Sequence, residues 1–90
     1  MVKGGKLEIM KDILKIIQEN KNSIKSTPLL RKSKISSTRF KEYYSELINR
    51  KLIKEIIDNK QDKFIVLTDN GFRFLERYKI ILDFIDEFEL

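Results

Sequence analysis

From Lys6 onward the apolar residues fall at Leu7, Ile9, Met10, Ile13, Leu14, Ile16 and Ile17, while Lys6, Glu8, Lys11, Asp12 and Lys15 lie mostly outside that stripe. Spacings of three and four residues predict a helix with one broad apolar face. Residues 1–5 read as a frayed start, because Gly4 and Gly5 break any helix. Asn20, Asn22 and Ser23 end the helix, and a short extended piece follows over residues 23–26. Thr27-Pro28 is a start signal, a hydroxyl cap followed by proline at the first helical position, for a short helix over residues 28–33. Residues 34–37 form a tight link whose serines can cap the next helix, over residues 38–51. One face of that helix holds Phe40, Tyr43, Tyr44, Leu47 and Ile48; the opposite face holds Thr38, Glu42, Ser45, Glu46 and Asn49. Residues 52–57 and 63–68, rich in Ile, Val and Phe, read as two strands joined by a turn over residues 58–62. Thr68-Asp69 caps a last helix that can run to Leu90.

The order is helix, short strand, helix, helix, hairpin, helix. Two helices joined by a short turn and followed by a two-stranded hairpin form the pattern of a winged helix-turn-helix. The plainer alternative is a small α+β domain that uses the same elements only for packing. The expected class is therefore α+β, mainly helical, with residues 1–68 as the winged-helix body and residues 69–90 as a dimerisation helix.

Charge sharpens this reading. The net charge is +5, yet residues 80–90 carry four acids (Asp83, Asp86, Glu87, Glu89) and no base. Between Glu19 and Glu42 there is no acid but seven bases: Lys21, Lys25, Arg31, Lys32, Lys34, Arg39 and Lys41. A surface without a partner usually mixes both signs, so this stretch points to an anionic partner. It coincides with the two central helices and their link. There is no Cys and no His among the 90 residues, which removes disulfides, thiolate or imidazole metal ligands and the usual general base. The glycines are Gly4, Gly5 and Gly71, so no phosphate-binding loop exists either. An enzyme, a metal, a cofactor and a small-molecule ligand are not expected. The longest apolar run has four residues, against about 20 for a membrane span and about 7–15 for a signal peptide core. The expected location is cytoplasmic, with the nucleoid. The absence of Ala beside 14 Ile and 14 Lys suggests A+T-rich coding or a thermophilic archaeal source.

Three segments carry a resemblance. Residues 26–53, STPLLRKSKISSTRFKEYYSELINRKLI, resemble archaeal winged-helix DNA-binding proteins, as do residues 67–79, LTDNGFRFLERYK, and residues 7–14, LEIMKDIL. Among such proteins, the chain resembles the crenarchaeal 10a-type chromatin proteins. The resemblance implies double-stranded DNA as partner and an antiparallel coiled-coil homodimer through the last helix. Two positions depart from the family's pattern. Lys51 stands where a glycine usually follows the recognition helix, and the turn from Arg31 to Lys34 is more basic than usual.

The chemistry expected of such a surface is phosphate neutralisation with limited base reading. Lys25, Arg31, Lys32, Lys34 and Lys41 are the candidate phosphate ligands, with Thr27, Ser36, Ser37 and Thr38 at helix starts. The recognition helix offers Arg39 to guanine, Glu42 to cytosine, and Ser45. Lys60, Gln61 and Lys63 are the wing candidates, although Asp58 and Asp62 make that wing nearly neutral. Each has a plainer counterpart: solvated lysines, capping serines, turn residues, and a Glu42 that only orients a neighbouring base. Tyr43 and Tyr44 lie on the apolar face and read as core. In the last helix Phe74, Tyr78, Ile81, Ile85 and Phe88 repeat at spacings of 4, 3, 4 and 3, widened by Leu75, Leu82 and Phe84. Its first half is basic and its second acidic, which favours an antiparallel homodimer over a parallel one. A fold back onto the first helix is the alternative. Modest sequence specificity is expected, in an architectural protein or a transcriptional regulator; a protein-interaction module without DNA binding is the other class.

Overall fold

A computed structural model of the chain describes residues 5–90. It contains α1 (Lys6–Glu19), α2 (Ser26–Ser33), α3 (Ser37–Asn49), β1 (Ile53–Ile57), β2 (Lys63–Leu67) and α4 (Asp69–Glu87). The frayed start expected over residues 1–5 falls mostly on residues 1–4, outside the described residues; Gly5 is the extended N-cap of α1.

The apolar stripe of α1 becomes the centre of the core. Ile13, Leu14 and Ile17 are fully buried, joined by Leu29 of α2, Phe40 and Leu47 of α3, Ile53 of β1, and Ile65 and Leu67 of β2. The hairpin is antiparallel with Ile53 opposite Leu67 and Ile57 opposite Lys63. The short extended piece is a single bridge: Ile24 and Ile65 exchange backbone hydrogen bonds of 3.1 and 2.7 Å. That bridge makes β2 the inner strand and ties the α1–α2 connection to the wing.

Three helices have boundaries that differ from expectation; α3 runs Ser37–Asn49, two residues short of the expected end at Lys51. α2 begins at Ser26 with Lys25 as its cap, and no side chain caps it. Thr27 is thus inside the first turn and Pro28 one place further in. Proline is tolerated there because first-turn N–H groups have no intrahelical acceptor. α4 stops at Glu87, and Glu89 turns left-handed at φ 53° so that the Leu90 N–H reaches the Ile85 carbonyl at 3.0 Å.

The end of α3 keeps the geometry glycine normally supplies. Lys51 sits at φ 59°, its N–H donates to Ile48 O, and the Leu52 N–H donates to Leu47 O, both at 2.9 Å. This is a complete Schellman closure, with Leu47 and Leu52 both buried behind it. The lysine accepts a left-handed backbone at a cost of about 1 kcal/mol. The turn then feeds α4. Thr68 donates its hydroxyl to Lys51 O, its N–H to Leu52 O, and caps α4 by accepting from Gly71 N at 3.1 Å. Gly71 lies so close to β1 that a Cβ there would stand 2.2 Å from Leu52 O.

Only the first half of α4 packs on the body. Phe74 and Leu75 join the core, and the Lys11 ammonium lies 5.7 Å above the Tyr78 ring. Beyond Tyr78 the helix projects, which gives the molecule extents of 50 × 26 × 21 Å. No helix among the described residues is long and apolar enough to cross a membrane.

Candidate nucleic-acid interface

The link between α2 and α3 is built on Lys34, which is left-handed at φ 59° and carries its side chain into solvent. Ile35 tucks against the core, and Ser36 caps α3 by accepting from Arg39 N at 3.2 Å. Ser36 is therefore occupied as a cap, as one of the two readings of the serines held. The turn sets α3 with Ser37, Thr38, Arg39, Lys41, Glu42 and Ser45 exposed. The Arg39 guanidinium lies 5.9 Å from the Tyr43 ring centre, which braces it along the helix surface.

Among the described residues Arg31, Lys34, Arg39, Lys41, Glu42 and Lys60 form no ion pair. Lys32 reaches only the Asn20 side chain, at 3.4 Å. The bases of α2, the link and α3 are thus exposed and without a carboxylate partner, so solvent or a polyanion must satisfy them. Lys25 is set apart from this group. It pairs loosely with Asp62 at 3.8 Å and lies 5.6 Å from the Phe64 ring centre, against the hairpin.

A groove of about 390 Å³ runs between the start of α2, the flank of α3 and the hairpin. Five of the sequence candidates line it: Thr27, Ser37, Lys41, Ser45 and Lys63. Leu30, Phe40 and Tyr44 make its floor. Three polar lining residues were not expected: Ser26, Tyr44 and Glu55. Tyr44 stacks on Phe40 with ring centres 5.8 Å apart and donates its hydroxyl to the Glu55 carboxylate. Burial, followed by that bond, pushes the Tyr44 hydroxyl far above its ordinary value. The same bond, helped by Lys63 at 3.5 Å, holds the Glu55 carboxyl below the usual carboxylate range. The only advance signal was that a half-buried tyrosine on an apolar face needs a partner for its hydroxyl.

Both acids of the wing tip are engaged within the fold. The Asp58 carboxylate is turned inward, accepting from the N–H groups of Lys60 at 2.8 Å and Asp62 at 2.9 Å. Asp62 faces Lys25. Lys60 and Gln61 remain exposed at the tip, with Gln61 left-handed at φ 67°. They stand apart from the groove, whereas Lys63 belongs to it.

The second surface is apolar. Ile80, Ile81, Leu82, Phe84 and Phe88 of the distal α4 are exposed, and Ile85 is half-buried. Phe74 and Tyr78, counted in the same heptad stripe, are instead partly taken up by the body and by each other, with ring centres 6.1 Å apart. Beside them a shallow groove is lined by Leu7, Leu52, Asn70, Arg73, Phe74, Arg77, Tyr78 and Ile81. Leu7 belongs to α1 and is 59% exposed there. No group of three or more metal-ligating side chains occurs among the described residues.

A helix-turn-helix whose second helix is fully presented, followed by a two-stranded wing, defines a winged helix-turn-helix protein. The family model described as winged helix-turn-helix matches residues 3–86, and the chain belongs to that family. No curated protein matches it. Several solved structures share the fold. Sso10a-2, a DNA-binding protein from Sulfolobus solfataricus, aligns at TM-score 0.73 with 18% identity, covering 94% of this chain and 85% of that one. F93 from STIV, a winged-helix DNA-binding protein, aligns at 0.72 with 20% identity over 89% and 91%. The PcaV transcriptional regulator from Streptomyces coelicolor aligns at 0.74 with 16% identity; the alignment covers 88% of this chain but 59% of the regulator.

Proposed function

We propose that the protein binds double-stranded DNA as a homodimer, with α3 in the major groove and modest sequence preference. The observation that carries this is the set of exposed, unpaired bases on α2, the link and α3, where Glu42 is the one carboxylate of α3 left unpaired, Glu46 being taken up by Lys6 and Arg50. Arg31, Lys32, Lys34 and Lys41 neutralise phosphates, while Arg39, Thr38 and Ser45 face base edges. Lys60 and Gln61 extend the footprint from the wing. Membership of the winged helix-turn-helix family supports the reading, as do the DNA-binding proteins among the similar folds. An architectural, nucleoid-associated role like that implied by the 10a-type resemblance fits a surface poor in base-reading side chains; a regulator is the other form of the same reading.

The dimer forms through residues 69–90, in antiparallel register about Ile81. That register sets Phe74 against a second copy's Phe88. It also sets Lys79 against Asp83, so a base of each copy meets an acid of the other. Leu7 and the groove beside α4 border the same face, so α1 contributes to the contact.

Fluorescence anisotropy with a random-sequence duplex at about 50 and 200 mM salt tests the DNA reading. Six to ten phosphate contacts predict a loss of roughly 10³–10⁵ in affinity across that range. Absence of binding at the lower salt would assign the basic surface to a protein partner instead. Light scattering that gives a monomer at high micromolar concentration would remove the dimer.

A further inference from the structure

The groove between α3 and the hairpin holds a carboxylate where a DNA backbone would be least welcome. Glu55 lines that groove from β1, across from Ser37, Lys41 and Ser45. Two contacts fix it. The Tyr44 hydroxyl donates to it, and the Tyr44 ring is itself held against the buried Phe40. Lys63, the groove's hairpin cation, turns to it at 3.5 Å. Because Tyr44 anchors the acid independently of Lys63, the lysine can leave while the negative charge stays.

We propose that Glu55 is a specificity-determining residue that restrains the groove's affinity for DNA phosphate. The carboxylate occupies Lys63 and repels a backbone entering beside Lys41. This rests on the DNA-binding reading above. A duplex must draw Lys63 away from Glu55, so the sequence-independent part of binding is weakened. The base-facing side chains of α3, which Glu55 does not oppose, then carry a larger share of discrimination. The device is a like-charge penalty built into the binding surface.

The experiment is anisotropy on full-length Glu55→Gln, with a random duplex, over the same salt series. The glutamine carbonyl still accepts from Tyr44, so the fold is kept, which far-UV circular dichroism checks. The expected result is binding tighter by about three- to tenfold at 50 mM salt, with the slope of log affinity against log salt steeper by about one contact, roughly 0.9. Lys63→Ala should weaken the native protein by less than about twofold but the Glu55→Gln protein by about fivefold, because only there is the lysine free for phosphate. Glu46→Gln is the charge control. It removes one negative charge from the C-terminal part of α3, outside the groove, where Glu46 pairs with Lys6 and Arg50, and should change affinity by less than about twofold. Equal affinity of Glu55→Gln and native protein, an equal gain from Glu46→Gln, or an additive Lys63 cycle would each overturn the inference while leaving DNA binding intact. A native protein that binds no duplex at low salt would remove both.

Discussion

α3 and the distal half of α4 each carry five apolar side chains, and they end in opposite states. On α3 the apolar face is absorbed: Phe40 and Leu47 are buried, and Tyr43, Tyr44 and Ile48 pack beside them. What it leaves outside is polar and basic. On distal α4 the apolar face is left outside, with Ile81 55%, Phe84 53% and Phe88 58% exposed. A small winged-helix body has one core to cover, and α1, the hairpin and the first half of α4 already fill its sides. The two helices are therefore incomplete in different currencies. One lacks counter-charge and the other lacks apolar cover. The partners proposed above answer these deficits: a polyanion for α3, and for α4 an apolar helix with reversed charge order.

The sharpest way to break this contrast is Ile81→Asp. In the proposed dimer Ile81 is at the centre of a symmetric contact, where the change acts twice. Each isoleucine withdrawn from burial is worth about 1.5–3 kcal/mol, so the dimer constant should weaken by roughly 10²–10⁴. Sedimentation measures it. Because Ile81 lies beyond the part of α4 that packs on the body, circular dichroism should show the winged-helix fold retained. A dimer that persisted would mean that the exposed stripe plays no part in self-association.

Gly71→Ala attacks the joint between the two regions instead. A Cβ 2.2 Å from Leu52 O forces α4 off the body or β1 out of register. Overpacking of this kind costs about 2–3 kcal/mol, which lowers Tm by roughly 10–20 °C in a chain of this size. An unchanged Tm would show that α4 reseats freely and is not pinned at Leu52.

How much of this was legible in the sequence follows the same division. Elements set by local pattern or composition were: the stripe of α1, the face of α3, the strands rich in Ile, Val and Phe, and the Thr68 cap. Details set by tertiary partners were not. Thr27-Pro28 looks like a helix start, yet Ser26 opens α2, because proline fits anywhere in a first turn that lacks acceptors. Tyr44 was read correctly as packing on the apolar face, but its hydroxyl finds Glu55 eleven residues on, and no spacing rule joins a helix to a strand that way. Asp58 and Asp62 counted as wing charge, but the turn uses the first for its own N–H groups and Lys25 answers the second. The functional surface was thus visible as composition, and its internal acids were visible only in the fold.

Lys51 offers a smaller, constructive test. Lys51→Gly relieves a left-handed backbone while loosening the unfolded chain, and these oppose each other. The net is a gain of about 0.5–1 kcal/mol, or roughly 2–8 °C in Tm by thermal melting. This stabilises the closure between α3 and β1 without touching either partner-seeking surface, so DNA affinity and dimer constant should both hold. A loss of stability would mean that the lysine side chain contributes more there than its strained backbone costs.

The smallest expected effect is on the acid side of the stability curve. The Glu55 carboxyl is held below its ordinary range by the Tyr44 hydrogen bond first and by Lys63, against a little burial; Glu46 is lowered by hydrogen bonds from Lys6 and then Arg50. A depressed carboxylate contributes stability above its unfolded pKa, about 4.3 for Glu, and loses it as pH falls through the folded value. Tm should therefore begin to fall as pH drops below about 5, on top of the general acid limb. Glu55→Gln removes its share, so its curve should be flatter below pH 5 and nearly parallel to native above it. Both side chains meet solvent, which keeps the difference to a degree or so of Tm. Coincident curves would leave the Tyr44–Glu55–Lys63 chain without a role in stability, and its effect would then be sought in the salt dependence of DNA binding alone.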